Sequence, residues 1–300
     1  MSKITIDNVL CKKCGLCTLL CPESIFVQEN GSVPKLSRIE ACISCGQCVA
    51  ACPVEAISHK DFPKGSMTLV NQKIVPSAEQ VLEILKARRS IRVFDEKPVE
   101  KEHIEKIIEG ARFTPSAHNL QSTEFVVVQD ITTLERIREL AVSRLAKTIK
   151  LLRNPLTRSL AFLKLGKNTT KNALHLLPSL EMLVDNTSNG KDKLLFNAPC
   201  LIILHAEDSV LFAEVNANLA LQNASLISHA LGLGSMYSGI IVRVAHVDRS
   251  IARLLSIPDN HQIYAALTIG YPRIKYHYRI ERKIPRVRWV QGARNSQGRH

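Results

Sequence analysis

The chain has no apolar run of the roughly 18 residues that a membrane-spanning helix needs, so no helical span is expected. The stretch before its first cysteine, MSKITIDNVLC, lacks an apolar export core, and the expectation is an unexported, cytoplasmic chain. Aromatic residues make up 5% of the sequence, with a single tryptophan, and no aromatic-interleaved basic motif or helix-turn-helix pattern speaks for nucleic acid. Ten histidines contain no H-E-x-x-H pair. The stretch Gly232-Leu233-Gly234-Ser235 is not the G-x-G-x-x-G of a dinucleotide-binding turn. Acidic residues are scarce in two places. Residues 136–175 hold ten Lys or Arg against Glu139, and residues 273–300 hold nine against Glu281, so these two segments carry all of the net charge of +13. Such segments suit phosphates, an acidic redox partner, nucleic acid or an anionic membrane surface, and equally a solvated helix face and a basic tail.

What is abundant is cysteine. In an unexported chain clustered thiols point to metal rather than disulfides. Cys11, Cys14, Cys17 and Cys21 follow C-x-x-C-x-x-C-x-x-x-C with Pro22 behind, and Cys42, Cys45, Cys48 and Cys52 repeat it with Pro53 behind. The period is 31 residues, and CPESIF at 21–26 mirrors CPVEAI at 52–57, the mark of an internal duplication. Three closely spaced thiolates wrap one corner set of a [4Fe–4S] cube, and in two-cluster ferredoxins the fourth comes from the other half. Cluster one is therefore expected on Cys11, Cys14, Cys17 and Cys52, and cluster two on Cys42, Cys45, Cys48 and Cys21. Zinc, which favours two C-x-x-C pairs, fits two complete four-cysteine runs badly. Gly15 and Gly46 let backbone amides approach the sulfurs. The ninth cysteine, Cys200, lies in the apolar run APCLIILHA and reads as a small buried hydrophobe.

The chain divides into a two-cluster module over 1–60, a linker over 61–76, a larger domain over 77–290 and a flexible basic tail over 291–300. Ser77 and Gln80 predict a capped helix start. Further helices are expected at about 100–112, 213–231 and 248–256, strands near 124–129, 199–205, 236–243 and 262–269, and a loosely helical basic stretch over 131–185. Helices and strands without regular alternation indicate an α+β sandwich, a sheet covered by helices.

After the first helix comes RRSIRVF at 88–94. Its arginine forks and serine hydroxyl suit a phosphate, although a basic helix end is also what the helix dipole favours. With the later segments added, the chain resembles the FMN-dependent nitroreductase family, in the branch with an N-terminal ferredoxin domain. The resemblance rests on RRSIRVF, on ARFTPSAHNLQSTEFVVV at 111–128, on LQNASLISHALGLGSMYSGII at 221–241 and on IGYPRIKYHYRIERKIPRVRW at 269–289. It implies FMN held by Arg88, Arg89, Ser90 and Arg92 at its phosphate and ribityl chain. Pro115, Ser116, Asn119 and Gln121 would lie near the flavin, Ser238 and Gly239 along its ring, and Arg282 and Lys283 at the phosphate. It also implies a nitroreductase-like sandwich and an intertwined homodimer. Ser122-Thr123 stand where the family has Pro-Trp, so the wall over the flavin differs.

The reading that follows is an oxidoreductase passing electrons from two [4Fe–4S] clusters to FMN and on to a small oxidised acceptor: a nitro compound, a quinone or an activated double bond. No side chain is assigned as catalytic acid or base, because the flavin carries the chemistry. An acidic donor of ferredoxin or flavodoxin type suits the basic face, and NAD(P)H stacking on the flavin stays open. An adaptor relaying electrons to a partner protein, or a redox sensor, are the alternatives.

Overall fold

A computed structural model describes residues 3–63, 65–165 and 167–290; the expected basic tail at 291–300 lies outside the described residues. At the N-terminus come β1 (Ile4–Ile6), α1 (Leu16–Leu20), β2 (Phe26–Val27), β3 (Lys35–Leu36), α2 (Gln47–Ala50) and β4 (Ile57–His59). β1 pairs antiparallel with β4, and β2 with β3. The small apolar centre is Ile4, Ile25, Phe26, Val49 and Ile57, packed directly against Cys17, Cys21, Cys42, Cys48 and Cys52.

The 31-residue repeat is written into the backbone. Gly15 and Gly46 both have φ of 73°, Lys13 and Ser44 have 57° and 52°, and Ser24 and Glu55 both have 51°. Left-handed conformations cost little for glycine and about 1–2 kcal/mol for other residues. Lys13 and Ser44 adopt them within the tight turns that lead one cysteine to the next.

The chain then runs exposed through 65–76 to α3 (Ala78–Ala87), α4 (Lys101–Arg112), β5 (Glu124–Val128), α5 (Ile131–Arg153), α6 (Pro155–Leu165), α7 (Lys167–Ser188), β6 (Cys200–Glu207), α8 (Ala213–Ala230), β7 (Gly234–Tyr237), α9 (Gly239–Ala245), α10 (Ser250–Leu254) and β8 (His261–Gly270). Ser77 caps α3 in a full capping box with Gln80, as its sequence predicts. The sheet order is β5-β6-β8-β7, all antiparallel. β6 shows why it is a sandwich. Leu201 and Ile203 pack on one face with α5, α9 and α10, while Cys200, Ile202 and Leu204 pack on the other with α4 and α8. Side chains alternate along a strand, so a central strand covered on both faces is apolar throughout. Cys200 is fully buried as expected, and burial pushes its thiol up to about 12.

One expected element is wrong. The strand read at 236–243 ends at Tyr237, and Gly239–Ala245 is helical. Ile240, Ile241, Val242 and Val244 look like strand residues because they are apolar and mostly β-branched. Yet Ile241, Val242, Val244 and Ala245 bury together at helical spacing against α5 and α10. The basic stretch at 131–185 is three helices, capped at Asp130 and broken at Asn154-Pro155.

Candidate metal centres and cofactor site

The thiols assemble across the repeat. Cys11, Cys14 and Cys17 line one cavity together with Cys52 and Cys48. Cys42, Cys45 and Cys48 line a second together with Cys21. Each cavity thus takes lining thiols from both halves of the repeat, and Cys48 lines both. The Ile25 amide donates to Cys21 Sγ at 3.5 Å, and its repeat equivalent, the Ala56 amide, donates to Cys52 Sγ at 3.2 Å. Amides aimed at sulfur stabilise thiolates and clusters built on them. Burial pushes the Cys48 thiol up to about 11, and the neighbouring charges of Cys45, Cys42 and Cys21 add to the rise. Thiolates packed this closely repel one another until a cation sits between them; iron inverts that balance and holds them deprotonated. The residues fit the group. Near the second set, His59 is buried with its Nε2 3.5 Å from Cys42 Sγ, and Lys3 Nζ donates to the Cys42 carbonyl at 3.0 Å.

The larger domain holds a cavity of about 240 Å³ that gathers three distant segments: Arg88, Arg89 and Ile91; His229 and Gly232–Ser235; Pro272 and Ile274–Tyr276. No acidic residue lines it. Its electrostatics are those of an anion site. Burial lowers the pKa of Arg88, and the nearby Arg282 lowers it further; burial lowers that of His229, and Arg88 adds to this. Three cationic or basic groups with no carboxylate among them are relieved by a phosphate. The floor is backbone: the Ile91 amide donates to the Ser235 carbonyl at 3.0 Å, and Ser90 bridges Ser235. A Cβ on Gly234 would lie 2.7 Å from Ile91 Cγ1, so glycine lets the Ser90–Ile91 segment approach β7.

The sequence-derived candidates do not all converge there. Arg92 stands with its guanidinium 5.9 Å from the Phe196 ring centroid, outside this cavity. Lys283 is exposed on the arm at 272–290, which has no regular structure. Ser238 is buried, its amide donates to the Ala266 carbonyl at 2.8 Å, and its hydroxyl has no partner. Gly239 follows, packed close to the Tyr237 ring. Pro115, Ser116 and Gln121 line a different cavity, of about 90 Å³, with Thr123, Phe125 and Asn216. Asn216 is 5% exposed and its Nδ2 has no partner, a buried donor that no local motif marks. His229, Lys275 and Tyr276 were likewise invisible, since only folding brings them to Arg88. Asn119 lines neither cavity: its side chain reaches the N-terminal module, donating to the Ser44 carbonyl at 2.8 Å.

Among the described residues no helix is long and apolar enough to cross a membrane. An antiparallel sheet between helix layers, carrying a cavity lined by basic residues, is thus joined to a module with a repeated set of thiols. The nitroreductase family profile matches residues 85–271, and that of the 4Fe-4S dicluster domain residues 10–57. The chain belongs to the nitroreductase family, with an N-terminal ferredoxin-type domain, and is an oxidoreductase of that type. It is 28% identical over 200 residues to a protein of Methanothermobacter thermautotrophicus provisionally named NADH dehydrogenase/NAD(P)H nitroreductase, covering 65% of this chain and 79% of that one. It is 27% identical over 221 residues to the FMN reductase [NAD(P)H] of Bacillus subtilis, covering 73% of each. A nitroreductase from Desulfitobacterium hafniense, solved with bound FMN, shares the fold at a TM-score of 0.51 and 17% identity, covering 70% of this chain and 98% of that one.

Proposed function

We propose that the protein reduces a small oxidised acceptor (a nitro compound, quinone or activated double bond) with electrons drawn through two [4Fe–4S] clusters and FMN. Held by the eight thiols, iron–sulfur clusters would supply one-electron transfer, and FMN at the basic cavity would supply two-electron hydride chemistry. The observation that carries this reading is the crossed thiol pairing, Cys52 with Cys11, Cys14 and Cys17, and Cys21 with Cys42, Cys45 and Cys48, in a chain of the nitroreductase family. Arg88, Arg89, His229 and Arg282 would hold the FMN phosphate, with Ser90 beside them.

The working unit in this reading is a homodimer. The phosphate-type cavity and the Pro115–Gln121 cavity share no lining residue, so each chain holds two half-sites. Apolar surface is available for the pairing: Val81, Leu82 and Leu85 on α3 are 41%, 49% and 44% exposed, and Trp289 on the arm is 81% exposed. Contiguous exposed apolar residues of this kind mark interaction surfaces. The electron donor would be an acidic redox protein of ferredoxin or flavodoxin type, drawn to the basic segments; raising salt should then slow its reaction with the protein.

The test is anaerobic: reduce the purified holoprotein, add a nitroarene or quinone, and follow the flavin over many turnovers. Repeated reoxidation supports the enzyme. Reoxidation only by a protein partner would instead assign the chain as an electron-transfer adaptor.

A further inference from the structure

The two modules meet at a chemically specific point. Asn119 Nδ2 donates to the Ser44 carbonyl at 2.8 Å, and the Ile43 carbonyl lies at 3.5 Å. Ile43 and Ser44 are the two residues between Cys42 and Cys45. The cluster loop is fixed from its own side as well: Ser44 Oγ donates to Asp61 Oδ2 at 2.6 Å, and Lys3 Nζ holds the Cys42 carbonyl. What it turns toward the larger domain is backbone carbonyl, and Asn119 is the donor that meets it.

The receiving loop is itself constrained. His118, Asn119 and Gln121 all have positive φ, 50°, 54° and 48°. Of the three, asparagine tolerates this region best. The Gln121 amide donates to Ser116 Oγ at 3.0 Å, closing the loop beneath Asn119. Strain concentrated in so short a segment persists only where the surroundings over-determine it, and such segments gather at functional sites. Ser116 and Gln121 also line the cavity at the Pro115–Gln121 loop. One loop thus contacts the backbone between Cys42 and Cys45 with one side chain and lines a candidate flavin half-site with its neighbours. The cavity of the first thiol group is bordered by Lys12, Pro34 and Val54 of its own module.

We propose that the Cys42–Cys45 loop is the face through which electrons leave the N-terminal module, and that Asn119 is the positioning residue holding that face to the Pro115–Gln121 loop. This rests on the flavin reading above and adds direction to it. Electrons arrive at the Cys11, Cys14, Cys17 and Cys52 group and depart from the Cys42, Cys45, Cys48 and Cys21 group. Two one-electron transfers out of the second group, with two protons from solvent, account for each flavin reduced. Asn119 is assigned here to docking rather than to the flavin.

The test uses full-length protein purified without oxygen, with iron and FMN counted first; a parent protein that binds no FMN removes the flavin reading, and this inference with it. Flavin emission is quenched by a nearby iron–sulfur cluster, which gives a readout independent of turnover. Emission stays low in Cys14→Ala and rises at least about twofold in Cys45→Ala if the second cluster is the near one. The opposite ranking overturns the assignment. Asn119→Gly keeps the backbone conformation and removes the donor, and it lies outside the cluster module, so cluster assembly is not at stake. It should keep parental iron and FMN, raise flavin emission, and slow single-turnover transfer from reduced clusters to FMN about tenfold, the order of one lost docking hydrogen bond. Asn119→Asp, which turns a carboxylate on the same carbonyl, should slow transfer further. Parental emission and transfer rates in both Asn119 variants, or loss of FMN from them, overturns the role given to Asn119.

Discussion

Arg88 and Arg282, from opposite ends of the larger domain, stand close enough that the charge of Arg282 lowers the pKa of Arg88, on top of the fall due to burial. Two guanidiniums do not gather beside a histidine without a reason, and a dianionic phosphate supplies one. Arg88→Ala should weaken FMN binding about 10- to 100-fold, since a hydrogen bond to a charged group contributes about 1.5–3 kcal/mol. Flavin titration of the cluster-loaded protein measures this, and iron content should stay at the parental level. Loss of iron together with FMN would show that the two modules do not load independently.

The proposed crossed ligation predicts which variants resemble each other. Cys21→Ala and Cys45→Ala should lose the same cluster, and Cys14→Ala and Cys52→Ala the other, each with a loss of about four irons. Redox titration followed by electron paramagnetic resonance tells them apart. If Cys21→Ala matched Cys14→Ala, each repeat would hold its own cluster.

The thiol module was the most legible part of the sequence, because its pattern is local: a repeat of cysteines, glycines and prolines is met by a repeat of turns, down to matched φ at Gly15 and Gly46. The sandwich was legible from β6 and α8, whose apolar patterns are long and unambiguous. Residues 236–243 were not, since a short apolar run fits strand and helix equally and only packing against α5 decides. Nor was the division of the flavin candidates into two cavities. Which of Arg88, Pro115 and Arg282 meet depends on chain topology, to which no local motif is sensitive.

His229 gives a pH dependence. Burial, then Arg88, holds its pKa below the ordinary 6.5. The unfolded chain therefore binds the proton more readily, so this group's contribution to stability is intact above about pH 6.5 and is lost as pH falls below it. Denaturant unfolding of the FMN-free, cluster-loaded protein at several pH values should show a shallower acid slope in His229→Gln. Bound FMN should flatten the parental slope, because the phosphate favours the imidazolium. Identical slopes for parent and variant would remove His229 from the electrostatics of the cavity.

Gly234→Ala tests the backbone floor beneath Arg88. The added methyl meets Ile91 Cγ1 at 2.7 Å and its Cβ at 2.8 Å. Overpacking of this kind costs about 1–3 kcal/mol, and because it pushes on the residue between Ser90 and Arg92, FMN affinity should fall along with the melting temperature. A variant with parental melting temperature and affinity would mean that the strand shifts freely.

Half-site sharing can be tested by complementation. A chain with Arg88→Ala and Arg89→Ala lacks the proposed phosphate grip, and a chain with Cys45→Ala lacks the proposed second cluster. Mixed dimers should regain cluster-to-flavin transfer, because in the proposed homodimer the intact phosphate cavity of one chain meets the intact Asn119 loop and cluster of the other. Mixed dimers as inactive as either parent would place grip and cluster supply in the same chain.

The most direct measurement counts iron, zinc and FMN on one preparation of the full-length chain made without oxygen. The account predicts about eight irons and one FMN per chain, and no zinc. A colourless protein, zinc in place of iron, or clusters without any flavin would contradict it.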